Sequence, residues 1–347
     1  MRFRFVKGLA VLVLSVSSRV VAEEPAPSRT LLAISKTDHM LAILDPADLK
    51  VLARVPVGPD PHEVVASADG KTAYVSNTGG GFLHQIDVID LTARKALSSL
   101  DTGPLIGPHG LAYVGGKLWF TAQGAKSVGR YDPASGRFDW ALGTGQDRTH
   151  MIHVAADGKR IYTTNVGSDT VSILDNLLLQ PSVPPTGVLP ANAQAHMDWV
   201  QTLVPVVKAS EGFDVSPDGR QLWTASPEGM LSVVDTAAGK AVATIHAELP
   251  GAHRLAFTPD GLRVLVVSVR TGEGVFVEVA THRVIKRLKV GRGAAMLMDP
   301  VGDRAFVSCT PDNDAAVVDL KTMEVARRLD VGGRPDGMAW AVRPPSR

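Results

Sequence analysis

The sequence predicts an all-β fold, a seven-bladed β-propeller with four antiparallel strands per blade, on three observations. With 33 Gly and 23 Pro among 347 residues, 45% hydrophobic and 20% charged, the chain has the composition of a turn-rich globular protein. A disordered chain or a coiled coil would have neither that apolar content nor that many turn residues. An apolar pair followed by an acid recurs seven times at the spacing of a propeller blade. Finally, residues 335–340 have the sequence of an innermost strand with nothing after it, whereas residues 31–34 begin with a second strand. Pairing the two completes a shared blade and removes the edges that an open array would expose.

In chain order, residues 1–22 read as a secretory signal peptide. Arg2, Arg4 and Lys7 precede the apolar run 9–16, and Val20-Val21-Ala22 places small residues before a cleavage site. Ser15, Ser17, Ser18 and Arg19 break the run too early for a membrane span. Residues 23–28 are then a linker and residues 29–347 the propeller. The expectation is a soluble monomer, periplasmic or secreted. Cleavage would remove four basic side chains and no acid, moving the formal charge from +1 to −3. That charge, without any Lys/Arg cluster interleaved with aromatics, argues against a nucleic-acid partner. Cys309 is the only cysteine, so no intramolecular disulfide can form, and the absence of Cys-x-x-Cys-His excludes covalently attached c-type haem.

The acids of the repeat are Asp45, Asp90, Asp132, Asp175, Asp235, Glu278 and Asp319, spaced 45, 42, 43, 60, 43 and 41 residues apart. Each precedes a short polar turn and another apolar strand. Asp69-Gly70, Asp157-Gly158, Asp218-Gly219 and Asp260-Gly261 mark a second hairpin per repeat, since Asp-Gly readily supplies the positive φ of a tight turn. The long fourth interval holds a Pro-rich insertion at about 176–197, with Pro181, Pro184, Pro185 and Pro190. It falls between the third and fourth strands of the fourth blade and predicts a loop without regular structure. Leu177, Leu178, Leu179 and Trp199 are apolar enough to dock on the propeller or on a partner.

Tyr74-Val75-Ser76-Asn77, Tyr162-Thr163-Thr164-Asn165 and Phe306-Val307-Ser308-Cys309, each after a Pro-Asp-Gly-like turn and before a Val-Ile-Asp-like segment, resemble the YVTN family of seven-bladed β-propellers. The repeat running from Gly107-Pro108-His109-Gly110 through Leu118-Trp119-Phe120-Thr121 to Tyr131-Asp132 also resembles those of streptogramin B lyases. The resemblance implies the fold. Similar propellers serve as binding scaffolds, surface-layer proteins, lactonases, lyases and haem-binding domains, so it leaves the function open.

Whatever precedes the first strand of each blade lines the mouth of the central channel. Aligning the repeats places His62, His109, His150, Glu211, His253, Ala294 and Asp336 in that column. Four imidazoles and two carboxylates form a candidate ligand-binding ring, and His62, His109, His150 and His253 are candidate ligands for a divalent metal. Loops opening on the same face add Asp38, His39, Asn77, His84, Asn165 and Cys309; Cys309 reads as a small core residue or a soft metal ligand. Glu63 and Arg254 follow the column and can pair or reach a bound anion. His153 and Asp214 stand where other blades carry apolar residues, which predicts a hydrogen bond between them or an acid–base pair.

Three functions fit. One is an exported soluble propeller that binds a small molecule, metal or protein partner through this mouth. Another is a metal-dependent lyase or lactonase acting there, and the third is a non-covalent tetrapyrrole-binding accessory protein with a mouth His as axial ligand. Nucleotide and serine-hydrolase motifs are absent from the sequence.

Overall fold

Seven sheets of short antiparallel strands account for nearly all regular structure in the computed structural model, which describes residues 28–344 except 184 and 186. The expected signal peptide lies outside the described residues, as does all but the last residue of the linker. Blade 1 is the shared one, ordered Pro335–Arg343, Ser28–Ser35, Met40–Leu44 and Val51–Pro56 from the channel outward. Its closing register runs Ser28↔Arg343 through Ala33↔Met338. Blades 2 to 7 begin at Pro61, Pro108, Thr149, Phe213, Ala252 and Ala295. The chain is therefore a seven-bladed β-propeller, and no described helix is long and apolar enough to cross a membrane.

The repeated acid has a structural cause. Asp45, Asp90, Asp132, Asp235 and Asp319 each accept backbone N–H groups two or three residues on, which builds the turn into the outermost strand. Strands at the middle of a blade read as continuous apolar runs because both faces of the sheet are covered. Val264 and Val266 pack toward blade 5 with Trp223 and Val233, whereas Leu265 and Val267 pack toward blade 7 with Val307 and Ala316. Gly70, at φ 64°, supplies the turn conformation that an Asp-Gly pair promises. Its missing Cβ also admits the carbonyl of Val342, which would lie 2.5 Å from that atom, so the closing strand seats against blade 2.

Glu278 accepts the Thr281 hydroxyl instead of a backbone N–H, and Asp175 departs further, from the loop that the sequence predicts. Instead of an irregular loop over 176–197, strands Thr170–Leu179 and His196–Pro205 form one long hairpin with ten paired positions, from Thr170↔Pro205 to Leu179↔His196. Pro181, Pro185 and Pro190 lie beyond the last pair of the ladder, Leu179↔His196, and so leave the hairpin stem intact. Asp175 therefore caps no turn and binds the Arg160 guanidinium instead. Trp199 docks on blade 3, with ring centroids 5.2 Å from Trp140 and 6.4 Å from Trp119, while Leu177 and Leu178 remain exposed.

Candidate ligand site at the channel mouth

The hydroxyl of the Tyr-Val-Ser-Asn-like motif positions the mouth. Ser76 donates to the carbonyl of His109 at 2.7 Å, Thr121 to that of His150 at 2.5 Å, Thr164 to that of Glu211 at 2.7 Å and Ser308 to that of Asp336 at 2.5 Å. Four of the seven blades thus hold the column residue of the next, whereas Thr224 of blade 5 bonds the Gly212 carbonyl of its own blade. A residue type first noticed as a repeat signature fixes where the ring side chains begin.

From those anchors the column residues meet their neighbours. The rings of His62 and His109 are 4.7 Å apart between centroids, and those of His109 and His150 are 3.8 Å apart. His150 donates from Nε2 to Glu211 at 2.8 Å, and its Nδ1 lies 2.7 Å from the Gln123 amide. Glu211 is also 3.4 Å from His253, and Asp336 is 3.5 Å from His62. All six candidate residues therefore belong to one ring. Ala294 lines the same recess without a polar group.

Among the described residues, no three His, Cys, Asp or Glu side chains are arranged to hold a metal ion. An internal cation stands among the acids and His62 instead. The Lys36 ammonium lies 2.6 Å from His62 Nε2, 3.1 Å from Asp60 and 3.4 Å from Asp336, where a metal bound by those groups would sit. His109 and His150 stack instead of converging. In this geometry the residues do not fit the divalent centre that the four histidines suggested. The sequence does not single out Lys36 or Asp60: Lys36 shares the loop of Asp38 and His39, and Asp60 lies in the connection just before Pro61. Asp38 instead ties the loop to Gly333 and Ser35, and His84 pairs with Asp101 on an outer strand.

Charge follows burial and partners. His62 and Lys36 hold the Asp60 carboxyl well below the usual carboxylate range. Burial, then the neighbouring imidazoles, drive His109 well below its ordinary value, so it is neutral at physiological pH. Burial works against the Glu211 carboxylate, but His150, His253 and Arg254 outweigh it and keep it ionised. Cys309 is an inert core thiol, packed under Val290 and raised to about 12 by burial.

Arg254 from blade 6 and Glu63 from blade 2 meet across the channel, Nη2 to Oε1 at 2.8 Å. Arg254 lines a recess of about 230 Å³ at the mouth and a chamber of about 310 Å³ beyond it, so the pair partitions the channel. Two buried atoms here have no hydrogen-bond partner among the described residues: Arg254 Nη1 and His109 Nδ1.

The far chamber is lined by Met151, Met296, Met298 and Met338 with Phe213 and Asp214. Asp214 does not bond His153. Its oxygens accept the backbone N–H groups of Val215 and Phe257, each at 2.8 Å, while His153 lies beside Tyr162. Burial raises the Asp214 pKa to about 6. A folded pKa above the unfolded value of about 3.9 gives stability that is present below pH 4 and lost as pH rises through about 6. Asp214→Asn is therefore expected to gain about 2 kcal/mol on wild type between pH 4 and pH 7.5. Urea midpoints of both proteins at both pH values check this, and a constant difference between them would refute it.

No family model matches the sequence. Two curated relatives, both called uncharacterized protein YncE, from Salmonella typhimurium and Salmonella typhi, are 21% identical over 139 residues. The match covers 39% of this chain and 39% of each relative. Among solved structures, dihydro-heme d1 dehydrogenase NirN in complex with DHE superposes with a TM-score of 0.62 at 17% identity, covering 91% of this chain and 66% of that one. Kuenenia stuttgartiensis hydrazine synthase gives 0.60 at 20%, covering 76% and 77%. A putative 6-phosphogluconolactonase from Bacteroides fragilis gives 0.67 at 14%, covering 90% and 98%. At these identities the likeness is one of fold, and it agrees with the seven-bladed β-propeller built from the strands above.

Proposed function

We propose that the chain is an exported, soluble β-propeller of the YVTN-repeat type that binds a small polar molecule through the His/acid-lined mouth of its channel. The observation that carries this reading is the recess itself. It is walled by ring residues from several blades, floored by the Glu63–Arg254 pair, and edged by two buried polar atoms without partners. Unpartnered buried polar atoms are rare, because each forfeits its hydration, and a bound polar molecule would supply the missing bonds. Export rests on the basic and apolar N-terminal segment of the sequence.

Size limits the ligand. A recess of about 230 Å³ that opens to solvent suits a small molecule. A tetrapyrrole, the kind of molecule named in dihydro-heme d1 dehydrogenase NirN, would have to lie across the mouth and not within it. The lyase or lactonase reading depends on a metal that the ring geometry does not accommodate, so binding without chemistry is the better account. A thermal-shift screen of small polar compounds against wild type and Lys36→Met tests it. A ligand at a hundred times its Kd stabilises by about 2.7 kcal/mol, or roughly 5–10 °C here. Such a shift is expected for wild type and not for the variant. Equal shifts in both would place binding elsewhere on the protein.

A further inference from the structure

We infer that the molecule bound at the mouth is a small oxyanion, a carboxylate, received by the free Nη1 of Arg254 with Lys36 and Arg334 beside it; this rests on the reading of the mouth as a binding site. Every carboxylate at the mouth already has donors. Glu211 has His150 at 2.8 Å and Glu63 has Arg254 at 2.8 Å, and the Lys36 ammonium forms ion pairs with Asp60 at 3.1 Å and Asp336 at 3.4 Å. An amine ligand would find no unpaired acid.

Donors are in surplus. Arg254 is 7% exposed, yet its Nη1 makes no hydrogen bond, and Glu211 Oε1 lies 3.8 Å away, outside bonding range. Arg334 lines the same recess, and its guanidinium has neither an ion pair nor a hydrogen bond among the described residues. Two guanidinium groups with free N–H and a neutral imidazole at His109 with a bare Nδ1 are left without an acceptor, and the Lys36 ammonium, already among Asp60, Asp336 and His62, adds positive charge to the same recess. A planar carboxylate matches the guanidinium fork, which is why such pairs are both short and selective. The recess also lies above the Glu63–Arg254 partition, so a bound anion would be held at the mouth and kept out of the methionine-lined chamber.

Isothermal titration of the purified protein at low salt decides the point. The probes are pyruvate, succinate and citrate, each beside its amide, and inorganic phosphate. At least one carboxylate is expected to bind about tenfold or more tightly than its amide, with affinity falling as salt rises. Arg254→Lys keeps a positive charge beside Glu63 and removes the free Nη1, so it should weaken that carboxylate by about tenfold. Arg334→Gln, at an exposed position, should weaken it by about threefold while leaving the melting temperature unchanged. Phosphate binding in the absence of any carboxylate binding would overturn the carboxylate assignment. Equal binding of acid and amide, or Lys36-dependent binding of neutral compounds or amines only, would overturn the anion inference and leave the mouth a binding site. Failure of every compound in this titration and in the Lys36→Met screen would sink both readings.

Discussion

A chain ending at Arg334 should melt at least about 10 °C below the full-length protein, if it folds at all. The strand Pro335–Arg343 supplies the innermost edge of blade 1 and pairs along Ser28–Ser35. It buries Met338, Ala339 and Ala341, donates from Trp340 Nε1 to the carbonyl of Met298 at 2.9 Å, and places the Trp340 ring 4.1 Å from the Arg29 guanidinium. Several backbone hydrogen bonds at about 1 kcal/mol each, and two large side chains at about 1.5–3 kcal/mol each, bring the loss above roughly 5 kcal/mol. At 2–4 °C per kcal/mol for a chain of this size or somewhat smaller, that is a shift of roughly 10–20 °C. Differential scanning calorimetry of both proteins measures it. Coincident transitions would mean that the ring stays shut without its closing strand.

Such closure was legible in the sequence because propeller repeats have a register, and a repeat that stops after one strand announces its partner. The blade count was legible for a related reason. Turn chemistry is local, and an aspartate that caps the turn at 46–50 or 236–240 does so whatever surrounds it. The hydroxyl of the Ser76 and Thr164 motifs was visible as a pattern, but its use was not, since it reaches a carbonyl 33 or 47 residues away. The column at the mouth was correctly gathered into one ring. Its chemistry was misread, because the chain offers four imidazoles in sequence but places Lys36 among them only through the path of a loop in another blade. His153 and Asp214 failed similarly. Adjacent blades made them neighbours on paper, whereas backbone N–H groups lay closer to the carboxylate than any imidazole. The prolines of the insertion are local signals and carry no information about its flanks, which pair as a hairpin as far as Leu179↔His196.

Glu63→Met should cost about 3–5 kcal/mol, because it strands the Arg254 guanidinium in a place that it can occupy only while paired. Arg254 is 7% exposed, its Nη2 is bound to Glu63, and its Nη1 has no hydrogen-bond partner among the described residues. Burial raises the Glu63 pKa against the pull of Arg254, the sign of a pair whose attraction is largely offset by lost hydration. Removing both charges together is then much less costly than removing one. The Glu63→Met/Arg254→Met double variant should recover most of the stability, since two unbranched apolar side chains replace the pair and Glu211 keeps His150 and His253 as partners. Urea unfolding of wild type, both single variants and the double variant gives the coupling energy, expected to exceed about 1.5 kcal/mol. Additive losses would mean that Arg254 leans on Glu211 and not on Glu63, and that the partition between mouth and far chamber is not held by this pair. A large coupling would mark the partition as a single electrostatic unit, so an anion arriving at the mouth would meet an Arg254 whose Nη2 is already neutralised by Glu63 and whose Nη1 is left for the ligand.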